Sequence, residues 1–384
     1  MSEWQEVTLD SVAIINPTES LRKGQISKKI AMDALQPFTK KPASFSLEEF
    51  NGGMKFRNGD KIVARITPCL ENGKTAYIDL LDENEVSFGS TEYIVLRERN
   101  GISDKQFLYY FSISPIFRDV AILSMTGCSG RQRVQTDVVE KHLFDIPPLP
   151  EQKAITAMLS SIDDKIDLLH RQNQTLEAMA GVLFRQRFVE DVQEAWDAKP
   201  LNSIANFLNG LACQKIPPKN ALDRLPVLKI RELSSGISDS SDWATSDIKS
   251  QYIVENGDVI FAWPASLMVK VWDGGKCVLN QHLFKVTSDE FPKWFYLGWC
   301  RYHLKEFIAI SASHATTMGH IKRGDLDATM VVIPSDSEIN AMSEKMVPLL
   351  DKQIANAKQI KLLEKLRDTL LPKLMSGEVR LDYD

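Results

Sequence analysis

The feature that most restricts what this chain can fold into is a repeat of very long period. Trp4 to Ala13 reads WQEVTLDSVA and Trp196 to Ala205 reads WDAKPLNSIA, an offset of 192. Arg57-Asn58-Gly59-Asp60-Lys61-Ile62-Val63 is answered by Glu255-Asn256-Gly257-Asp258-Val259-Ile260-Phe261 at an offset of 198, and Ile146-Pro147 by Ile333-Pro334 at 187. A long amphipathic stretch follows each Ile-Pro. Solenoid units run about 20–50 residues, so this is a duplicated domain plus helix. Two similar modules on one chain fit a target with two similar halves. The second copy is about six residues longer before its Gly-Asp and about eleven shorter after it. Constant ends around a variable middle are how a recognition surface diversifies on a fixed scaffold.

Within each copy, short β-rich runs alternate with turn signals. Asn58-Gly59-Asp60 and Asn256-Gly257-Asp258 precede apolar strands, and residues 92–96 and 282–286 read as further strands. Residues 107–125 and 293–310 look helical and aromatic-rich. The expected fold class is α+β, with mixed or antiparallel sheets in each copy. With 384 residues there is room for two or three domains. The expected boundaries are 1–147 for the first globular domain, 148–190 for a long helix, 191–334 for the second domain, and 335–384 for a second long helix with a tail.

Heptad spacing defines both helices. Ile155, Leu159, Ile162, Ile166, Leu169, Asn173, Leu176, Ala180 and Leu183 alternate by four and three. Adding 187 gives Met342, Met346, Leu349, Gln353, Asn356, Ile360, Leu363, Arg367 and Leu370, in the same register. A seam over four heptads predicts a coiled coil; the alternative is that each helix packs on its own domain. In antiparallel pairing Leu169 lies opposite Asn356 and Asn173 lands beside Gln353, which gathers the polar seam residues where they can bond each other. The prediction is an antiparallel pair with pseudo-two-fold symmetry, at most about 50–60 Å long by helical rise. Pro348, inside the second heptad run, is expected to kink that helix or delay its start.

Several function classes are set aside. Net charge is −5, which argues against non-specific nucleic-acid binding over the whole surface but leaves room for local basic patches. The five cysteines are scattered, without C-x-x-C, so neither disulfides nor zinc are expected. No apolar run reaches membrane-spanning length. The N-terminus lacks a basic stretch followed by an apolar one, so a cytoplasmic protein is expected. There is no phosphate-binding loop G-x-x-x-x-G-K-[ST] and no Asn-Pro-Pro-Tyr type methyltransferase pocket. The histidines show no metal spacing, and no metal site is expected.

DNA contact needs Lys or Arg for phosphates and polar side chains for base edges. In the first copy Arg131, Gln132 and Arg133 follow a small-residue loop, and Arg57, Lys61, Arg65, Asn72 and Lys74 are further candidates. In the second copy the equivalent place spans residues 311–323, with His314, Thr316, Thr317, His320, Lys322 and Arg323. Lys229, Arg231 and Lys270 join them. Each of these, taken singly, also reads as a solvated surface residue.

Pro147-Pro148-Leu149-Pro150-Glu151-Gln152-Lys153 before a helix resembles the specificity subunits of Type I restriction–modification systems. So do Leu371-Pro372-Lys373-Leu374-Met375-Ser376-Gly377-Glu378 at the end of the second helix and Gly59-Asp60 with Ala64-Arg65-Ile66-Thr67-Pro68. Gly89-Ser90-Thr91-Glu92-Tyr93, Leu279-Asn280-Gln281-His282 and the stretch 317–326 are similar to the interior of that family's target-recognition domains. The resemblance implies a non-catalytic subunit whose two recognition domains each read one half of a bipartite site on double-stranded DNA. It implies that the helices set the gap and dock two methyltransferase subunits, which restriction and motor subunits join. S-adenosylmethionine and ATP would sit only on those partners. The second helix departs from the pattern, since Ile333-Pro334-Ser335-Asp336 replaces PLPEQ. A Type II system cutting on both sides of its site, a protein-binding coiled-coil scaffold and an enzyme of unrecognised chemistry remain open.

Overall fold

The computed structural model describes residues 3–128, 130–238, 240–263, 266–313 and 323–381, without the side chains of Ser313 and Arg323. The chain divides into two compact units, residues 1–167 with 362–384, and residues 168–361. Among the described residues no helix is long and apolar enough to cross a membrane.

Among the described residues the first unit contains ten strands: β1 (Gln5–Thr8), β2 (Ala13–Ile15), β3 (Ile26–Ile30), β4 (Ser46–Glu49), β5 (Lys55–Phe56), β6 (Lys61–Ala64), β7 (Thr75–Tyr77), β8 (Ser87–Gly89), β9 (Tyr93–Glu98) and β10 (Leu143–Ile146). One sheet has the order β2-β9-β6-β7 and is antiparallel throughout. A second has the order β4-β3-β8-β5, in which β3 and β8 run parallel. β1 pairs with β10. The turn before β6 needs Gly59 at φ +91°, and Asp60 fastens it by accepting from the Arg57 amide at 2.8 Å. The aromatic run divides at Ser114-Pro115 into helices Lys105–Ile113 and Pro115–Leu123. Asp104 caps the first by accepting from the amides of Gln106 and Phe107, both at 2.9 Å. Phe107, Phe111 and Phe117 from these helices pack with Phe144 of β10 and with Ile155 and Leu159 of the first long helix.

The second unit repeats this plan strand for strand. β11 (Asp197–Pro200), β12 (Asn206–Asn209), β13 (Leu225–Leu228), β14 (Trp243–Ala244) and β15 (Ile253–Val254) are followed by β16 (Val259–Ala262), β17 (Met268–Val271), β18 (Cys277–Leu279), β19 (Leu283–Thr287) and β20 (Met330–Ile333). The sheet orders are β12-β19-β16-β17 and β14-β13-β18-β15, the second again mixed through parallel β13 and β18, and β11 pairs with β20. Gly257 takes φ +94° where Gly59 takes +91°. The α+β class and the mixed and antiparallel sheets therefore stand.

The two long helices are Leu149–Arg185 and Asp336–Met375. In the first unit Ile155 and Leu159 share a core with Leu371 and Leu374, and Arg367 donates to Asp163 at 3.0 Å. In the second unit Asn356 donates to Asn173 Oδ1 at 3.0 Å, Asn173 donates to the Gln353 carbonyl at 3.2 Å, and Arg187 pairs with Glu338. In each unit rising numbers on one helix meet falling numbers on the other, which is the antiparallel sense. Ile155, Leu159, Ile162, Ile166, Leu169, Met342, Met346, Asn356 and Ile360 are buried. Asn173, Leu176, Leu349, Gln353, Leu363 and Leu370 are half-buried.

The delayed start expected at Pro348 is corrected, because the second long helix runs from Asp336 to Met375 as one helical element. Pro348 is exposed, between buried Met346 and Leu350. Packing on that face outweighs the roughly 3 kcal/mol that an interior proline removes from a helix. The missing PLPEQ is also compensated. Glu151 accepts from Trp4 Nε1 at 3.2 Å and from Arg380 at 2.5 and 2.7 Å. Glu338, 187 residues on, accepts from Trp196 Nε1 at 2.8 Å and pairs with Arg187. The repeated tryptophans that open the two copies thus anchor the start of each long helix.

Candidate nucleic-acid interface

In the first unit, residues 126–128 and 130–133 fold onto the segment that follows β6. Arg133 exchanges backbone hydrogen bonds with Thr126 at 2.9 and 3.0 Å, the Thr67 amide donates to the Gln132 carbonyl at 3.0 Å, and the Val134 amide donates to the Arg65 carbonyl at 2.9 Å. Two stretches far apart in sequence become one surface. The glycines at 127 and 130, at φ +129° and +79°, allow the turn.

Glu92, just before β9, lies beneath this surface. Arg133 Nε donates to both its oxygens at 2.9 and 3.0 Å and a terminal nitrogen donates at 2.7 Å, while Arg65 Nε lies 3.7 Å away. The Arg133 guanidinium holds the Glu92 carboxyl below its ordinary range. Glu92 belongs to the Gly89–Tyr93 motif but is not among the site residues expected from sequence, since its partners lie 27 and 41 residues away. Arg131 is exposed; its amide donates to the Cys128 carbonyl at 2.9 Å, while its guanidinium makes no hydrogen bond or ion pair among the described residues. Gln132 is half-buried.

The other first-unit candidates divide. Asn72 is exposed on the loop between β6 and β7, and Lys74 on the same loop is half-buried, donating to the Met32 carbonyl at 2.9 Å. Arg57 is half-exposed but donates to Glu19 at 2.6 Å; Glu19 is also paired with Arg97, which clamps Asp60 through two bonds of 2.7 Å. Lys61 is a correction. It is fully buried, with Nζ donating to the Gly59 carbonyl at 2.9 Å and to Glu98 at 3.3 Å, so it cannot reach a phosphate. Burial pulls its ammonium down to about 8.

In the second unit Lys229 pairs with Asp242. Arg231 donates to Glu232 at 2.7 and 2.9 Å and to the Ser240 carbonyl at 2.9 Å. Lys270 lies 3.7 Å from Asp273 and 3.4 Å from the Leu233 carbonyl. His314, Thr316, Thr317, His320 and Lys322 lie outside the described residues, as does the side chain of Arg323. Among the described residues no group of histidine, cysteine or carboxylate side chains is arranged to hold a metal ion.

This arrangement offers exposed and ion-paired guanidinium groups on loops, which suits reversible contact with polyanions. Comparison with known proteins gives a family. The family model described as the Type I restriction modification DNA specificity domain matches twice, over residues 1–178 and 193–365. The chain is 26% identical to the MjaIX specificity subunit of Methanocaldococcus jannaschii, over 72% of this chain and 69% of that protein. It is 30% identical to the EcoAI specificity subunit of Escherichia coli over 50% of this chain and only 35% of that protein. Against the HindI specificity subunit of Haemophilus influenzae it is 19% identical, over 84% and 87% of the two chains. The crystal structure of a Type-I restriction-modification system S subunit from M. genitalium shares the fold, with a TM-score of 0.55 and 17% identity over 97% of this chain and 96% of that one. The chain belongs to the Type I restriction modification DNA specificity domain family.

Proposed function

We propose that this chain is the non-catalytic specificity subunit of a Type I restriction–modification enzyme. Each unit reads one half of a bipartite DNA site, and the paired long helices set the gap and dock methyltransferase subunits, which restriction subunits join. S-adenosylmethionine and ATP belong to those partners, and the assembly works in the cytoplasm. The observation that carries this reading is the strand-for-strand duplication of one α+β plan with different spacings between matching strands, such as Ala64 to Thr75 from β6 to β7 against Ala262 to Met268 from β16 to β17. A fixed scaffold with two divergent loop sets is what a reader of two unlike half-sites requires. The relatives bear Type I names, which favours this reading over a Type II double-cutting system.

The test is a domain exchange. Residues 191–334 are replaced by the corresponding segment of a relative, and the chain is co-expressed with its methyltransferase. The methylated sequence is expected to change in one half and to stay unchanged in the other. A change in both halves, or methylation by the isolated chain, contradicts the proposal.

A further inference from the structure

The second unit lacks a buried polar triad that the first contains. In the first unit the Tyr110 hydroxyl donates to Asp163 at 2.6 Å, and Asp163 accepts from Arg367 at 3.0 Å. Tyr110 is fully buried and Asp163 nearly so. The offset of 187 along the long helices carries Asp163 to Leu350 and Ala180 to Arg367. An offset of 188 carries Phe107 to Phe295 and Phe111 to Trp299, and therefore Tyr110 to Gly298. The tyrosine, the aspartate and the arginine are thus replaced by glycine, leucine and alanine.

All three replacements line one cavity of about 240 Å³. Phe184 takes part of the vacated space, since a Cβ on Gly298 would lie 2.3 Å from its ring. The remaining walls include Trp294 and Met346. Arg301 also lines the cavity; one of its terminal nitrogens pairs with Glu177 at 3.0 Å, but its Nε is buried and has no hydrogen-bond partner among the described residues. A buried donor left unpaired is costly and calls for an acceptor. An apolar cavity of roughly 150 Å³ already admits benzene, so this one has room for a substituted ring.

We propose that this cavity is a binding site for a small phenol-like aromatic molecule, its ring among Phe184, Trp294 and Leu350 and its oxygen accepting from Arg301 Nε. The ligand supplies in the second unit the phenol that Tyr110 supplies in the first. The site does not depend on the DNA-reading function. The experiment is calorimetric titration of the full chain with p-cresol and, as the ring without an acceptor, toluene. The expected result is saturable one-to-one binding of p-cresol with a Kd of about 0.1–1 mM, and roughly tenfold weaker binding of toluene. Arg301→Lys is expected to close the gap between the two probes. Ala180→Leu, which fills the cavity, is expected to abolish binding of both; should it not fold, Leu350→Phe fills the same space from the other helix. Absence of saturable p-cresol binding to the parent overturns the proposal, as does undiminished affinity in the filled variant.

Discussion

Glu92 lies between two arginines that sequence reading assigned to DNA, and this sets different expectations for neighbouring residues. Arg133 is held by a bidentate pair, whereas Arg131 is exposed and unpaired among the described residues. Released counterions scale with the phosphates neutralised, and a free guanidinium contributes fully. Arg131→Ala in the assembled complex is expected to flatten the salt slope of filter binding by about one unit; an unchanged slope removes Arg131 from the interface. Lys61 behaves differently. Burial lowers its folded pKa to about 8, so from about pH 8 to 10 the unfolded chain binds the additional proton and stability rises with pH. Lys61→Met lacks that gain. Urea titration is expected to show it losing ground to the parent as pH is raised from about 7 to about 10, and a pH-independent difference refutes this. Lys61 follows the Asn58-Gly59-Asp60 turn and reads as a candidate for DNA contact. Its burial follows from a central strand, Lys61–Ala64, whose four residues are all covered. A single strand's sequence does not reveal that its sheet is central. The Glu92 pairing was illegible for a related reason, because tertiary folding alone brings residues 65, 92 and 133 together.

Among the elements, the long helices were the most legible, since a hydrophobic period repeated over four heptads leaves little else for the chain to form. The polar seam residues also gave the pairing direction: in the second unit Asn173, Gln353 and Asn356 meet as the antiparallel register requires. Asn356 is fully buried and donates to Asn173 and to Gln172 at 3.3 Å. Asn173→Leu is expected to destabilise the second unit by about 1–3 kcal/mol, by leaving the Asn356 amide short of an acceptor. Adding Asn356→Leu is expected to restore much of that loss, and denaturant unfolding of the four members of the cycle measures the coupling. Additive single effects would contradict the hydrogen bond. Pro348 does not delay its helix, because the apolar face of Met342, Met346 and Leu350 holds that turn to the second unit's core. The Trp-Glu-Arg anchor was half-legible. Trp4 and Trp196 stood out as repeats, but their partners Glu151 and Glu338 lie 147 and 142 residues away.

For the whole molecule, the repeat carried most of the information. It predicted two α+β units, and the sheets agree down to the single parallel pair in each mixed sheet. The varying offsets fall between matching strands: 198 between the starts of β6 and β16 shrinks to 190 at β8 and β18, mainly because Ala64 to Thr75 from β6 to β7 is a longer span than Ala262 to Met268 from β16 to β17. What the repeat does not carry is the sequence read, since base recognition depends on side-chain placement and DNA deformability together. The central claim is that two such units read two half-sites held at a fixed separation. Its most direct test is to co-express this chain with its methyltransferase subunit in a host free of that methylation and to map methylated adenines across the genome. The account predicts one bipartite motif, two specified halves separated by a gap of constant length. A continuous motif, or two halves at variable spacing, would contradict it.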